Sequence, residues 1–323
     1  MLENIIFIFI GLLGLFFGGD WLVTGASRLA RYFGISALIV GLTIVAFGTS
    51  APELLVSVDA ALRGSSDLAV GNIVGSNISN IGLILGMTAL VFPVAVRASL
   101  IRREIPLMVA ATLLTTFLAF WGASINRVDG IILFIGLIAF NIYMVVLTRR
   151  ESKTEAFQEE EEEYEESGEK TILPEERLRE LGRLLLGLIV LVIGARLTVD
   201  GAVNIARTIG VSEIAIGVTL VAVGTSLPEL ATSLVASFRK QNDIAIGNIV
   251  GSNIFNLLMI LGITAIIRPI PISDRVLDFD ILVMLAFSFA LIPITITARQ
   301  ISRLEASLML GGYIAFTFVA ILI

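Results

Sequence analysis

The sequence of 323 residues contains no cysteine and no histidine. Without cysteine the chain can form neither disulfides nor thiolate metal sites, and without histidine it lacks the side chain that usually titrates between about pH 5 and 8. Charged residues make up only 15% of the chain, whereas hydrophobic residues make up 56% and the mean hydropathy is +0.95. This composition excludes a soluble domain and predicts a polytopic membrane protein, with the lipid bilayer as its partner and no role for nucleic acid.

Apolar runs long enough to cross a bilayer recur along the whole chain. They predict ten spans at about 4–30, 38–62, 68–94, 104–121, 128–147, 181–208, 213–238, 244–267, 279–297 and 303–322. The N-terminus lacks the basic region of a cleaved signal peptide, so we expect the first run to be retained as a membrane helix. The predicted fold class is therefore all-α, with ten transmembrane helices.

Two polar motifs inside these apolar runs are each present twice. Gly-Thr-Ser-x-Pro-Glu occupies 48–53 and returns at 224–229, an offset of 176 positions. Gly-Asn-Ile-Val-Gly-Ser-Asn-Ile occupies 71–78 and returns unchanged at 247–254, at the same offset. Paired interrupted segments at matching positions of two halves are the strongest sequence indication of a secondary transporter's binding site.

The repeat divides the chain into a first half at 1–150, a linker at 151–180 and a second half at 181–323. Because each half has five predicted spans, the second half must enter the membrane from the opposite side, and the repeats are inverted. Most arginines, among them Arg28, Arg31 and Arg149, fall on one predicted side, which places the linker in the cytoplasm and both termini outside. The linker contains five consecutive glutamates at 159–163, a pattern typical of a solvated tether.

Proline and glycine interrupt the helix that contains each Gly-Thr-Ser-x-Pro-Glu motif. Pro52 has no N–H to offer the carbonyl of Gly48, so the pattern predicts a broken transmembrane helix. The break would free carbonyl oxygens beside the hydroxyls of Thr49 and Ser50 and the carboxylate of Glu53. Hard oxygen donors of this kind suit dehydrated Ca²⁺ or Na⁺. A structural pair of protonated glutamates is the alternative interpretation of Glu53 and its repeat counterpart.

The second motif predicts polar stripes on two further helices. Side chains spaced by four share one helical face, so Asn72, Ser76 and Asn80 form one stripe. The second half repeats it with Asn248, Ser252 and Asn256. Glycines spaced by four, at 71 and 75 and again at 247 and 251, predict close helix contacts. The stripes could also serve only as hydrogen bonds between helices.

Lone charges elsewhere have more ordinary interpretations. Asp20 and Arg196 occupy matching positions of the first and sixth spans, where we expect pairing at a helix end or between helices. Asp59 lies near a helix end and is expected to be hydrated. The remaining acids of this kind are interpreted as interfacial: Asp129, Asp200, Asp278 and Asp280.

The two motifs, each present twice among ten spans with an acidic central linker, resemble the sodium/calcium exchanger family of the cation/Ca²⁺ antiporter superfamily, and in particular its compact prokaryotic members. The resemblance covers almost the whole chain outside the linker. It implies a monomeric antiporter, not an enzyme, that has no cofactor and exchanges Na⁺ for Ca²⁺ at one mid-membrane site. It also implies that the first and sixth spans slide past the other eight.

The resemblance also implies a set of ligands. Ca²⁺ would be bound by the carboxylates of Glu53 and Glu229 and by the carbonyls of Thr49 and Thr225. The flanking Na⁺ sites and the centre would use a further set: Ser50, Ser76 and the carbonyl of Ala46 in the first half, Ser226, Ser252 and the carbonyl of Ala222 in the second, and Asn80 and Asn256 between them. Some prokaryotic relatives carry aspartate at the position of Asn256, so the Na⁺ stoichiometry and any proton involvement stay open here.

Other functions use similar residues. A proton/Ca²⁺ antiporter could use the same glutamates as proton carriers, and a K⁺-dependent exchanger is a third variant. The serines favour Na⁺ because they add neutral oxygens. A Ca²⁺ channel would usually build rings of carboxylates from repeated subunits. A hydrolase would need a base beside its nucleophile, and the serines have no histidine or lysine partner in the membrane.

Overall fold

The computed structural model describes residues 1–162, 174–211 and 222–322, and this part of the chain is almost entirely helical. In lipid there is no water to pair with backbone N–H and C=O groups, and a helix satisfies these groups within its own segment. The helices are α1 (Leu2–Tyr32), α2 (Ala37–Thr49), α3 (Ala51–Leu62), α4 (Ser66–Val91), α5 (Leu100–Gly122), α6 (Arg127–Glu162), α7 (Pro174–Thr208), α8 (Ala222–Thr225), α9 (Leu227–Phe238), α10 (Asn242–Ile267), α11 (Val276–Asp280 continued by Ile281–Ala298) and α12 (Arg303–Leu322).

Eight of the helices in the described ranges are long and apolar enough to cross a membrane, and α2 with α3 makes a ninth, bent span. The seventh predicted span is described only in part. Its second portion is α9, a shorter apolar helix, and most of its first portion falls at 212–221, outside the described residues. The acidic linker is also described only at its two ends, where α6 continues to Glu162 and α7 begins at Pro174.

The predicted helix breaks lie at Ser50 and Ser226. Ser50 separates α2 from α3, which are bent by 43° relative to each other, and its backbone has φ −82° and ψ 3°. Ser226 separates α8 from α9 with nearly the same backbone angles, φ −87° and ψ 3°. Pro52 and Pro228 lie in the first turn of the helix that follows, where a missing N–H costs no helical hydrogen bond. Each proline therefore ends one helix and begins the next.

The fold repeats itself at the offset found in the sequence. Strand β1 (Val94–Ala95) pairs antiparallel with β4 (Gln300–Ile301), and β2 (Ser124–Ile125) pairs antiparallel with β3 (Ile270–Pro271). Strand β3 lies 176 positions after β1, and β4 lies 176 positions after β2. The β1–β4 pair of one half with the other therefore corresponds to the β3–β2 pair, and the two pairs are equivalent. The six residues with positive φ in the described ranges form three pairs at the same offset: Gly34 and Gly210, Gly64 and Lys240, and Ala123 and Arg299.

One contact joins two residues that correspond to each other. The hydroxyls of Thr112 in α5 and Ser288 in α11, which lie 176 positions apart, are 3.4 Å apart and buried. A residue can meet its own counterpart in this way only near an axis that relates the two halves. The contacts therefore follow an approximate two-fold axis that passes between α5 and α11.

The helices with the polar stripes, α4 and α10, lie at the centre of the bundle. Their apolar windows are 78% and 89% buried, whereas that of α12 is 11% buried. The predicted close contact is present for α10, because a Cβ on Gly247 would lie 2.8 Å from the carbonyl oxygen of Leu38, and one on Gly251 would lie 2.7 Å from the Cβ of Ala46. The equivalent contacts of Gly71 and Gly75 would involve 212–222, almost all of which lies outside the described residues.

Helices α1 and α7 form a separate antiparallel pair packed through glycine. The glycines are spaced by seven residues on both helices, at 11, 18 and 25 in α1 and at 187, 194 and 201 in α7. A Cβ on Gly18 would lie 2.6 Å from the backbone nitrogen of Leu191, and one on Gly194 would lie 2.7 Å from that of Leu15. No larger side chain fits between the two backbones. We call this contact the glycine seam.

Candidate cation-binding site

The two glutamates of the repeated motif lie in the first turns of α3 and α9, directly after the two breaks. Glu53 and Glu229 are each only 1% exposed. The hydroxyl of Ser50 donates a hydrogen bond to Oε1 of Glu229 at 3.3 Å, so the two motifs meet although they are far apart in the sequence. Thr225 lies beside the Glu53 carboxylate and Thr49 beside that of Glu229, so the threonines also exchange partners between halves.

Asparagines of the central helices hold the ends of α2 and α8 in place. Oγ1 of Thr49 donates to Oδ1 of Asn248 at 3.1 Å, and Oγ1 of Thr225 donates to Oδ1 of Asn72 at 3.4 Å. The two contacts correspond to each other under the two-fold axis. Each stripe therefore binds the broken helix of the other half, and these asparagines do more than join neighbouring helices of one repeat.

The same asparagines also bind the helix that follows the break in their own half. Nδ2 of Asn72 donates to Ser57 at 2.9 Å and to the carbonyl of Glu53 at 3.3 Å, and Nδ2 of Asn248 donates to Ser233 at 3.3 Å. Ser57 and Ser233 were not among the predicted site residues. The available signal was a serine at the same offset in two apolar helices.

Several buried oxygens of the predicted ligand set have no hydrogen-bond partner in the described part of the chain. They are one carboxylate oxygen of each of Glu53 and Glu229, the hydroxyls of Ser76, Ser226 and Ser252, and the amide oxygens of Asn80 and Asn256. Other buried hydroxyls, such as that of Thr88, also lack a partner, but carboxylate oxygens are much more costly to leave unpaired. These unpaired carboxylate, hydroxyl and amide oxygens are suitable ligands for Ca²⁺ and Na⁺.

The helical geometry changes beside the two stripes. A π-helical turn begins at Asn80 in α4 and spans Asn80–Leu85, and another begins at Asn256 in α10 and spans Asn256–Ile260. Such turns are often found at functional sites because the wider helix leaves backbone groups less regularly paired. No proline or glycine marks the first residue of either turn, so the sequence does not predict them.

The predicted carbonyl ligands differ in whether they already accept hydrogen bonds. Thr49 and Thr225 are the last residues of α2 and α8, where helix carbonyls lose their regular partners. The carbonyl of Ala46 accepts hydrogen bonds from the backbone nitrogen of Ser50 at 3.0 Å and from Oγ1 of Thr49 at 3.4 Å, so it is already engaged. Ala222 begins α8, at the edge of the described range.

The structure agrees with the predicted interpretation of Asp20 and Asp59, whereas Arg196, which was also expected to pair, forms no ion pair with another described residue. Asp20 in α1 forms an ion pair with Arg239 at the end of α9, which is a contact between helices. Asp59 is 58% exposed and forms an ion pair with Arg63 at 2.8 Å. Arg196, at the position that matches Asp20, is exposed beside a cleft.

That cleft leads from the surface to the helix breaks. It has a volume of about 150 Å³, and its lining includes Pro52, Thr225 and Pro228 from the two motifs together with Arg196 and Asp200 of α7. On the opposite side the space is filled, because a Cβ on Gly19 of α1 would lie 3.4 Å from Cγ2 of Val235 in α9. One side of the site is thus open and the other is closed.

Comparison with known proteins agrees with these features. The family model described as sodium/calcium exchanger protein matches residues 3–148 and 180–322. The chain belongs to the sodium/calcium exchanger family. It is therefore a multi-pass membrane transporter of the cation/Ca²⁺ antiport class, and no enzymatic activity is implied.

Individual relatives cover nearly the whole exchanger. CaxA of Alkalimonas amylolytica is 40% identical over 321 residues, which cover 98% of each chain. The sodium/calcium exchanger MaX1 of Methanosarcina acetivorans is 31% identical over 343 residues, again covering 98% of each chain. A structure of the sodium-calcium exchanger NCX_Mj, soaked with 10 mM Na⁺ and zero Ca²⁺, matches with a TM-score of 0.81 at 32% identity and covers 97% of each chain. The fold is thus that of a compact prokaryotic exchanger.

Proposed function

We propose that this exchanger moves Ca²⁺ in one direction in exchange for Na⁺ in the other, with both ions competing for the site between α3 and α9. The observation that supports this most strongly is the pair of buried carboxylates, Glu53 and Glu229, surrounded by unpaired neutral oxygens. The described residues contain no group of three or more acidic, histidine or cysteine side chains that could hold a metal ion, so two carboxylates would carry the charge of the site. Two negative charges balance one Ca²⁺, and a set of Na⁺ ions would compete for the same oxygens.

The proposed ligands follow the two-fold axis. Ca²⁺ lies between Glu53 and Glu229, with the carbonyls of Thr49 and Thr225 completing its environment. One Na⁺ site is proposed at Glu53 and the other at Glu229. Their remaining ligands are Ser50, Ser76 and the Ala46 carbonyl for the first, and Ser226, Ser252 and the Ala222 carbonyl for the second, with Asn80 and Asn256 between them. Ala46 would have to release the hydrogen bonds that its carbonyl accepts.

Alternating access gives this site its function. We propose that the two-fold axis lies in the plane of the membrane, so that ten spans form two inverted repeats of five. Inverted halves can exchange conformations, which opens the same site first to one side and then to the other. The helix pair α1 and α7 would move as one unit along the rest of the bundle. A carrier of this kind can function as a monomer, with the termini outside and the 151–180 linker in the cytoplasm.

Na⁺ is proposed as the coupling ion because four serine hydroxyls belong to the ligand set and three of them are unpaired: Ser76, Ser226 and Ser252. A proton needs only a carboxylate, whereas a dehydrated Na⁺ needs several neutral oxygens. Proton/Ca²⁺ exchange and K⁺-dependent exchange would give different ion requirements in the same measurement.

The test is uptake of radioactive ⁴⁵Ca²⁺ into proteoliposomes that contain the purified protein. We expect uptake when the vesicles are loaded with Na⁺ and diluted into Na⁺-free buffer at the same pH. Vesicles loaded with choline are the control for the gradient, and K⁺ is varied independently. Uptake that follows a pH gradient and ignores Na⁺ would show that protons are the coupling ion.

A further inference from the structure

The glycine-packed helices α1 and α7 carry different charges at corresponding positions. Asp20 of α1 and Arg196 of α7 lie 176 positions apart. Asp20 reaches Arg239, at the C-terminal end of α9, and this ion pair lies on the closed side of the site. We call this side the Arg239 face. Arg196 lines the open cleft, on the side where α3 ends, and we call that side the Arg63 face.

The two-fold axis indicates what Arg196 meets when the cleft closes. The counterpart of Arg239 is Arg63, so a simple exchange of the halves would bring two arginines together. In the first half, however, an acid lies one helical turn before Arg63. This acid is Asp59, which binds Nε of Arg63 at 2.8 Å.

The position of Asp59 is the decisive detail. Its counterpart in the other half is Val235, which packs against Gly19 on the closed face, 3.4 Å from where a Cβ of Gly19 would lie. Gly19 directly precedes Asp20, just as Ala195 directly precedes Arg196. Exchanging the conformations of the halves therefore places Asp59 against residue 195, within reach of the long Arg196 side chain.

Neither charged group of α7 at the cleft has an ion-pair partner among the described residues. Arg196 and Asp200 lie four residues apart on α7, but no ion pair joins them or links either of them to another described residue. An exposed arginine at the mouth of a cation pathway repels incoming cations. The position of Arg196 is explained if this side chain forms an ion pair when that face is closed.

We propose that Asp20–Arg239 and Arg196–Asp59 are alternative latches, each of which closes one face of the exchanger. Asp20–Arg239 holds the Arg239 face closed in the conformation described above. When α1 and α7 move, the Asp20–Arg239 pair separates, and Asp59 exchanges its ion pair with Arg63 for one with Arg196. The inference depends on the alternating access of the proposed function, but it does not depend on whether Na⁺ or H⁺ is the coupling ion.

Because the chain contains no cysteine, a single introduced cysteine can report the equilibrium between the conformation with the Arg239 face closed and the one with that face open. Thr232 is the counterpart of Val56, which lines the cleft, and in this conformation Thr232 is fully buried on the closed Arg239 face. In a Thr232→Cys variant, reaction with a water-soluble maleimide reports how often that face opens. The rate is measured by mass spectrometry on the full-length protein in detergent, without added substrate ions.

Three further substitutions are made in that background. Asp20→Asn removes the first latch, so labelling should rise about two- to fivefold, the range expected for a partly exposed ion pair. Asp59→Asn removes the second latch, so labelling should fall by a similar factor. Arg63→Gln is the matched control, because it breaks the same Asp59–Arg63 pair but leaves Asp59 free for Arg196, and labelling should stay constant or rise.

Equal changes in Asp59→Asn and Arg63→Gln would overturn the proposal, since they would show that only the Asp59–Arg63 pair matters. A direct test of proximity uses the double variant Asp59→Cys/Arg196→Cys, which should form a disulfide on mild oxidation. Asp59→Cys/Asp200→Cys, one turn further along α7, should form much less. If neither pair cross-links while the wild-type protein shows Na⁺-driven Ca²⁺ uptake, the latch is wrong and the proposed function stands.

Discussion

The two halves of this exchanger are alike at the centre of the membrane and different at its two faces. At the centre, Thr49 with Asn248 and Thr225 with Asn72 repeat one hydrogen bond in both halves. At the faces, the Arg239 face carries the Asp20–Arg239 ion pair and packed side chains, and the Arg63 face carries a cleft beside Arg196. Under the proposed alternating access, an ion site that is reached from both sides requires equivalent ligands, whereas the faces determine which side is open.

The similarity of the two halves at the centre is tested most strongly by substituting the two glutamates. Glu53→Gln and Glu229→Gln should each reduce Na⁺-driven Ca²⁺ uptake by about a hundredfold or more, because each removes one of the two buried charges that we propose to balance the ion. Equal losses would confirm that the centre is symmetric. The measurement is ⁴⁵Ca²⁺ uptake at matched protein content, with monodisperse elution as evidence of folding.

Glu104 provides a matched control for this experiment. It is also 1% exposed, but it lies in α5 beside Arg103 and outside the site. Glu104→Gln should therefore retain uptake. If it loses as much activity as the two site variants, loss of any buried carboxylate would explain the result.

The glycine seam should give the next largest effect. A Cβ on Gly18 would come within 2.8 Å of the carbonyl oxygen of Gly187, so Gly18→Ala must push α1 and α7 apart. Overpacking of this kind costs about 1–3 kcal/mol. We expect a lower midpoint of thermal unfolding in detergent and slower exchange.

Gly182→Ala is the control for the seam, since it lies on α7 but its added Cβ would meet no described atom within 4 Å. Alanine favours a helix over glycine by up to about 1 kcal/mol, so its unfolding midpoint should stay constant or rise. A decrease in Gly182→Ala equal to that in Gly18→Ala would indicate that α7 tolerates no substitution, and the seam would have no special role.

The smallest predicted effect concerns the end of the α1–α7 pair that holds Glu180. Its carboxylate is 7% exposed and binds Arg28 of α1 at 2.8 Å and Arg183 of α7 at 2.7 Å. The counterpart at the other end is uncharged, because residue 4 is asparagine. Glu180→Gln should lower stability by about 1 kcal/mol, since the arginines are partly exposed. Asn4→Ala should change the unfolding midpoint less, and an equal change would remove the difference between the two ends.

Much of the candidate site could be predicted because its residues repeat. Two copies of a proline, a glutamate and a stripe of asparagine and serine at one offset indicate a two-fold site even without coordinates. Proline has no N–H to pair with a preceding carbonyl and crowds the preceding turn, so breaks beside Pro52 and Pro228 could be expected from local chemistry. Proline alone does not decide the outcome, since Pro293 lies inside α11 without ending it. The π-helical turns that begin at Asn80 and Asn256 could not be predicted, since they depend on how α4 and α10 pack against neighbours.

The partners of the asparagines also could not be predicted. A stripe of Asn72, Ser76 and Asn80 shows which side chains share a face, but not which helix that face meets. Only the fold shows that Asn72 binds Thr225 of the opposite half. The same holds for Asp20, whose partner Arg239 is more than two hundred positions away.

The sequence by itself determined the membrane class, the repeat, the helix breaks and the residue types of the site, because hydropathy, proline geometry and oxygen ligands act locally. The tertiary structure alone decided how the halves meet and which face is open. Those features depend on contacts between distant segments, such as the glycine seam and the Asp20–Arg239 pair, and the same local sequence is compatible with either face being closed.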